Sequence, residues 1–244
     1  MTELFRLDGQ RALVTGANTG IGQAIAVALA EAGAEVICAA RRSPDETLAR
    51  IGARGRGLLL DFNDPMAARD IFAAERIDIL VNNAGVIRRA DATEMTEADW
   101  DAVMDVNLKA AFFTAQAFGR AVLAREGRGK IVNIASVLTY QGGLRVAGYA
   151  ASKHGIAGLT RALANEWAGR GINVNAIAPG YVETNNTAAL RADPDRTAAI
   201  LARIPAGRWG RPEDIAGAAV FLASGAADYV HGAVLAVDGG WLAR

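Results

Sequence analysis

Short apolar runs recur along the chain, separated by longer stretches in which apolar residues return every third or fourth position. The runs are Arg11 to Val14, Glu35 to Ala39, Gly57 to Leu60, Ile79 to Asn82, Lys130 to Ile134, Asn173 to Ile177 and Val234 to Val237. Near-continuous hydrophobicity over so few residues suits a strand whose sheet is covered on both faces. The stretches Gly22 to Ala32, Trp100 to Arg125, Tyr149 to Arg170 and Pro212 to Ala223 carry helical spacing. Strands alternating with helices predict an α/β fold built on a doubly wound parallel sheet.

Helix starts are marked by first-turn chemistry. Ser43-Pro44-Asp45-Glu46 predicts a capping box with proline at the first helical position, and Thr96-Glu97-Ala98-Asp99 and Arg211-Pro212-Glu213-Asp214 predict acid-rich first turns. No low-complexity segment, long linker or internal repeat breaks the alternation, so residues 1–244 are expected to form one domain. One region departs from it: residues 181–210 hold Pro194, Pro205, several arginines and Asn185-Asn186. In doubly wound sheets ligands bind beyond the carboxyl ends of the strands, so this excursion is expected to be a substrate lid, with a helix around Thr197 to Ile204.

Charge and cysteine content narrow the partners. Basic and acidic side chains balance at 26 each, which offers no electrostatic grip on nucleic acid or an anionic membrane and leaves a small molecule as the expected partner. Cys38 is the only cysteine, excluding an intrachain disulfide and metal sites built on cysteine pairs; within Val36-Ile37-Cys38-Ala39-Ala40 it reads as a packed strand residue. His154 and His231 have no companions at metal-ligand spacing, so no metal is expected. Residues Met1 to Arg6 lack the apolar run of a signal peptide, and charges interrupt every later stretch, which predicts a cytoplasmic protein.

Candidate chemistry sits at the ends of the predicted strands. After the first, Thr15-Gly16-Ala17-Asn18-Thr19-Gly20-Ile21-Gly22 offers a tight turn, close backbone approach and a helix N-terminus, as a pyrophosphate requires, although the spacing departs from the usual dinucleotide fingerprint. Asn82-Asn83-Ala84-Gly85 closes the fourth strand with residues small or polar enough to line a cofactor cleft or simply to turn. Asp61, followed by Phe62, either accepts from an adenine amino group or begins a turn. Tyr149 and Lys153 stand four apart on one helix face, where an ammonium favours the phenolate and proton exchange with an alcohol, and Ser136 at the end of the fifth strand can donate to the same substrate oxygen.

The set Thr15 to Gly22, Asn82 to Gly85, Asn107, Ser136, Tyr149, Lys153 and Pro179-Gly180 resembles, in order and spacing, the short-chain dehydrogenase/reductase family. The resemblance implies a Rossmann-like, three-layer αβα architecture around a seven-stranded sheet, Tyr149 as acid/base, Lys153 on the nicotinamide ribose, Ser136 orienting the carbonyl and Asn107 supporting a proton-relay water. It also implies dinucleotide contacts from Gly16, Asn18, Thr19, Gly20, Ile21, Gly22, Arg41, Asp61, Phe62, Asn83, Ala84, Gly85, Pro179, Gly180, Val182 and Thr184. A homotetramer is implied as well, with Val237 to Trp241 resembling a subunit-contact tail.

A narrower resemblance, to members of that family that act on keto-deoxy sugar acids, rests on Asn83 to Arg89, Gln141 to Val146, Ala164 to Ala168, Asn185 to Thr187 and Arg203 to Gly210. It implies a six-carbon substrate such as 2-dehydro-3-deoxy-D-gluconate or 2-deoxy-D-gluconate, from pectin or uronate breakdown, and is associated with NAD. The local residues point the other way: the second strand ends Ala39-Ala40-Arg41-Arg42, with no carboxylate for a ribose diol and guanidinium groups suited to the 2'-phosphate of NADP. Arg145 and then Arg88 are the candidates to hold the substrate carboxylate, with Asn186 and Trp209 as further lid contacts. The rival readings are a reductase of gluconate or of an oxoacyl thioester, and a noncatalytic dinucleotide sensor, against which the Ser136, Tyr149 and Lys153 set argues.

Overall fold

The computed structural model describes residues 2–244. Its elements run β1 (Arg11–Thr15), α1 (Gly20–Glu31), β2 (Glu35–Ala40), α2 (Asp45–Ile51), β3 (Gly55–Leu59), α3 (Ile71–Ala74), β4 (Ile79–Asn82), α4 (Glu97–Met104), α5 (Ala110–Ala124), β5 (Gly129–Ile134), α6 (Ala147–Trp167), β6 (Ile172–Pro179), α7 (Ala188–Arg191), α8 (Pro194–Leu201), α9 (Pro212–Ala223) and β7 (Val234–Val237). The strands form one seven-stranded sheet in the order β3-β2-β1-β4-β5-β6-β7, and the pairings are parallel. The chain winds outward from β1 to β3, then restarts on the other side at β4. The two carboxyl ends that part at this switch are those of β1 and β4, where a crevice opens for a ligand.

Alternate strand residues face opposite layers. Val14, Val36, Ile79, Val81, Val132 and Ile177 pack with Ile25 and Leu29 of α1 and Ile215, Ala219 and Leu222 of α9. Leu13, Ile37, Leu80, Ile131, Ile172 and Val174 pack on the other side with Phe72 of α3, Phe118 and Val122 of α5, and Leu163 and Trp167 of α6. This two-sided burial is why the strands read as unbroken apolar runs rather than alternating ones. Close packing of α5 depends on Gly119, where an added Cβ would come within 2.8 Å of the Trp167 ring.

Four local readings need correction. The stretch Trp100 to Arg125 is not one regular helix: a π-helical turn, Asp105–Lys109, separates α4 from α5 and carries buried Asn107. Ser43 does not cap α2. Pro44 occupies the cap and the Ser43 hydroxyl donates instead to the Asp45 carboxylate at 2.5 Å. Strand β3 starts at Gly55 and ends at Leu59. In segment 181–210 the main helix, α8, begins three residues earlier than expected because Asp193 accepts from the Arg196 amide and Pro194 supplies the first residue; short α7 precedes it. The polar surface of α8, with Ile200 its one buried residue, gave the periodicity little to show.

A second small core holds that segment down. Val137, Ile200, Ile204, Trp209 and Trp241 are buried together, with Tyr181 packed against them. The Tyr181 ring lies 5.6 Å from Trp209 and 4.7 Å from Trp241, and the Arg203 guanidinium sits 3.9 Å above the Trp241 ring.

The start of α9 is fixed electrostatically. Asp214 accepts from the Arg211 amide at 2.7 Å and takes both Arg208 guanidinium nitrogens, at 2.6 and 3.0 Å. Arg208 and the amide hold its carboxyl down to about 2. A depressed folded-state pKa means the contribution is present above the unfolded value near 4 and is lost as pH falls towards 2. Asp214→Asn is therefore expected to lower stability at neutral pH and to flatten the loss between pH 4 and 2, as read by urea denaturation across that range.

Candidate active site

The turn after β1 is shaped by contacts that exclude side chains. Gly16 and Gly20 have φ of 66° and 58°, in the left-handed region. A Cβ on Gly22 would lie 2.3 Å from the Gly16 carbonyl oxygen, so α1 is able to start this close to the strand only with glycine there. The turn is stitched to β4: the Thr15 hydroxyl accepts from the Asn83 and Ala84 amides, both at 2.9 Å, and the Asn83 side-chain amide donates to the Thr15 and Gly16 carbonyls at 2.9 and 3.2 Å. The first amides of α1, from Gly20, Ile21 and Gly22, have no intrahelical partner, and the Thr19 side chain does not cap them. They and the helix dipole make an anion site.

One cleft of about 340 Å³ gathers most of the expected residues: Gly16, Asn18, Thr19, Gly20, Ile21, Gly22, Arg41, Asn83, Ala84, Gly85, Ser136, Tyr149, Lys153, Pro179, Gly180, Val182 and Thr184. A smaller recess beside Asn18 and Arg41 is lined by Asp61 and Phe62. Asp61 also begins a turn, accepting from the Asn63 amide at 3.0 Å and from its side chain at 2.9 Å. Arg41 and Arg42 line the far end of the cleft, are exposed and have no acidic partner among the described residues. The glycine cradle, uncapped helix end and unpaired cations fit a dinucleotide.

The candidate reacting groups come from elements that a buried polar chain ties together. Asn82 on β4 donates to Asn133 on β5 at 2.9 Å, and Asn133 donates to Thr160 on α6 at 3.0 Å. Beyond β5, the Ser136 hydroxyl accepts from the Leu138 amide at 3.2 Å, while Thr139 donates to the Lys153 carbonyl at 3.0 Å and so fixes that turn against α6. Lys153 is buried. Its ammonium donates to the Ile134 carbonyl at 2.6 Å and lies 5.5 Å from the Tyr149 ring centre. Asn107 spends its side-chain amide as a brace, accepting from the Val86 amide at 2.8 Å and donating to the Val86 carbonyl at 2.9 Å and Ser152 at 3.2 Å.

Burial pushes the Tyr149 phenol up from its ordinary value; the hydrogen bond with Ser136 and the charge of Arg89 oppose that rise. Burial pushes Lys153 down to about 8. Ser136 and Arg89 act against the desolvation of the phenol, and the Lys153 ammonium stands on the same helix face one turn away.

A second cavity, of about 460 Å³, meets the cleft at Ser136, Tyr149, Gly180 and Asn186. Arg145 lines it with a left-handed φ of 62° and pairs with Asp91 at 3.2 Å. Arg88 is not among its lining residues; it pairs with Asp99 of α4 at 3.2 Å, and its neighbour Arg89 lines the cavity instead, donating to the Asn186 carbonyl at 2.8 Å. Trp209 is likewise absent from the lining and packs in the small core beneath it. Sequence reasoning missed Arg89 and Arg196, both of which line the cavity. Adjacent arginines on extended chain point to opposite sides, and nothing in the residues themselves says which side is inward. Arg196 has a legible signal only in hindsight, one helical turn before buried Ile200.

Among the described residues no group of three or more His, Cys, Asp or Glu side chains is placed to hold a metal ion, and no helix is long and apolar enough to cross a membrane. Residues 16–242 match the family model described as enoyl-(acyl carrier protein) reductase. With the sheet order, the glycine turn and the Ser136, Tyr149 and Lys153 cluster, this places the chain in the short-chain dehydrogenase/reductase family, a family of oxidoreductases. Within it, the chain is 53% identical over 98% of its length to the 2-dehydro-3-deoxy-D-gluconate 5-dehydrogenase of Dickeya dadantii, of which it covers 98%. It is 69% identical, with a TM-score of 0.98 and complete coverage of both chains, to a provisionally assigned 2-deoxy-D-gluconate 3-dehydrogenase from Agrobacterium tumefaciens solved with bound NADP. A provisionally assigned NAD(P)-dependent gluconate 5-dehydrogenase from Beutenbergia cavernae, solved with NADP at low occupancy, is 55% identical with a TM-score of 0.96 over 99% of this chain and 100% of its own.

A lysine depressed to about 8 loses its positive charge as pH rises through that value. The dissociation constant for NADP, read by fluorescence titration without substrate, is expected to rise between pH 7 and 9. Lys153→Met should bind more weakly at pH 7 with that dependence removed; a variant with the wild-type pH profile would reject the assignment.

Proposed function

We propose that this protein reversibly oxidises a secondary alcohol of a six-carbon keto-deoxy sugar acid, with 2-dehydro-3-deoxy-D-gluconate and 2-deoxy-D-gluconate as the substrates that fit the comparisons best, and that NADP is its preferred cofactor. The observation that carries the reading is the meeting of two spaces at Tyr149: a cleft shaped for a dinucleotide and a cavity rimmed by guanidinium groups. When bound, the nicotinamide supplies the hydride acceptor or donor. The chain's own residues do the rest.

In this reading Ser136 and Tyr149 hold the reacting oxygen between them, and the phenol exchanges its proton as the carbon changes oxidation state. Arg89 favours the phenolate form of Tyr149 and so eases proton removal from an alcohol. Lys153 is anchored on the Ile134 carbonyl and lines the cleft, where its ammonium would hold the ribose of a bound cofactor. The segment 181–210 serves as the lid, joined to the cavity wall by the Arg89 bond to Asn186. The assembly that goes with this reading is the homotetramer implied by the family resemblance.

A panel of keto-deoxy and aldonic acids assayed with both cofactors tests the reading. Saturation by a sugar acid supports it, and turnover confined to thioesters would reject it. Tyr149→Phe is expected to keep cofactor affinity while losing about 10²- to 10⁴-fold in kcat, the range for removal of a general acid/base; near-wild-type turnover would reject the role.

Cofactor preference rests on unpaired Arg41 and Arg42 at the end of β2, where Ala40 stands in place of an acid. Ala40→Asp with Arg41→Ile is expected to move the kcat/KM ratio towards NAD by about 10- to 100-fold, the scale of a charge-assisted hydrogen bond. An unchanged ratio would overturn it.

A further inference from the structure

We propose that Arg196 on α8 is the residue that recognises the substrate carboxylate, which makes this helix the determinant of selectivity for acids over neutral sugars. The inference rests on the sugar-acid reading and deepens it by assigning the charged end of the substrate to one side chain.

Three guanidinium groups line the substrate cavity, and they are not equivalent. Arg145 is committed to Asp91 at 3.2 Å, and its backbone is held in the left-handed region. Arg89 is committed to the Asn186 carbonyl at 2.8 Å and acts electrostatically on Tyr149, which places its charge beside the reacting carbon. Arg196 has neither commitment: its backbone amide caps onto Asp193, but its guanidinium has no hydrogen-bond or ion-pair partner among the described residues. It is the uncommitted fork at this cavity, and an arginine fork matches a carboxylate in a bidentate manner.

Arg196 is carried on the face of α8 that meets the cavity. Arg196 precedes Ile200 by one helical turn, so the two share a face of α8. Ile200 is buried against the small core that includes Val137, the residue after Ser136, which aims that face at the cavity. Arg89 comes from the loop after β4 and acts on the Tyr149 phenol, whereas Arg196 enters the cavity from a separate element, α8. In a sugar acid oxidised at carbon 5 the carboxylate lies at the other end of the carbon chain, where a cation remote from the phenol is required. Asp193 also lines the cavity, and its carboxylate is engaged with the Arg196 amide. With that acid nearby, loss of Arg196 would leave the α8 side of the cavity with an acid and no cation.

The helix is suited to hold the group still. Past its carboxyl end Arg203 stacks on Trp241, the Arg244 side chain donates to the Ala202 carbonyl, and the Ala206 amide donates to the Gly239 carbonyl at 3.0 Å. A cation on a pinned helix costs less entropy to order than one on a free loop.

The test compares wild type, Arg196→Met and Arg196→Lys on the best sugar acid of the panel and on its uncharged carboxamide, with cofactor affinity as a check on folding. The expected result is a rise of about tenfold or more in KM for the acid with Arg196→Met, partial recovery with Arg196→Lys, kcat changed by less than about threefold, and the carboxamide and cofactor unaffected. Equal losses on acid and carboxamide would overturn the proposal in favour of a general positioning role, as would an unchanged KM for the acid. Wild-type enzyme that saturates with no sugar acid would remove the functional reading and this proposal with it. Wild-type saturation unaltered by Arg196→Met removes the proposal alone.

Discussion

Everything at the site depends on the stitch between β1 and β4. Parallel neighbours in the middle of the sheet part at their carboxyl ends, and the Thr15 hydroxyl and Asn83 amide bridge that parting. These bonds satisfy main-chain groups that the sheet has stopped pairing, and they do so without filling the space above the turn. Were the turn and the fourth strand free to separate, the uncapped start of α1 would have no fixed direction, and the cleft would lose its floor. The glycines matter because they permit this approach; the hydrogen bonds make it rigid.

A second constraint is the burial of charge around α6. Lys153 reaches the Ile134 carbonyl through an interior that depresses its proton affinity, and the phenol one turn away is raised by its own desolvation. These opposite displacements move apart two groups whose pKa values nearly coincide in water, so burial favours the neutral phenol and eases loss of the ammonium's proton, and charges such as that of Arg89 are what favour the phenolate. Arg89 joins this balance from the loop after β4, linking the charge state of the centre to the backbone at Asn186.

The sheet, its flanking layers and the cleft residues were legible because each strand is covered on both faces and each ligand-facing turn needs glycine, small or amide side chains at fixed places. Tyr149 and Lys153 were legible only with the rest of the motif set, since a tyrosine and a lysine four apart are by themselves an ordinary helix face. The lining of the second cavity was not. Arg88 and Arg89 are chemically identical neighbours, and only the course of the chain beyond Gly85 turns one towards Asp99 and the other inward. Trp209 reads as a recognition residue because it lies within a polar excursion, yet its indole is buried against Tyr181, where aromatic packing outweighs exposure to a ligand. The helix α8 hid its register because a single buried residue sets no period.

The wide turn at Asp105–Lys109 gives the region an unequal exchange of regularity for position. A π turn takes one residue more than an α turn, and each residue rotates a helix by roughly 100°. Removal of a single residue there would allow α4 and α5 to run as one regular helix, with a better main-chain hydrogen-bond ladder, while turning Asn107 away from the Val86 backbone that it braces. The irregularity thus behaves as a length code: it couples the number of residues between two helices to the shape of the loop bearing Arg89. Substitutions on either helix leave that code untouched, whereas an insertion or deletion as small as one residue rewrites the wall of the cavity that Arg89 lines.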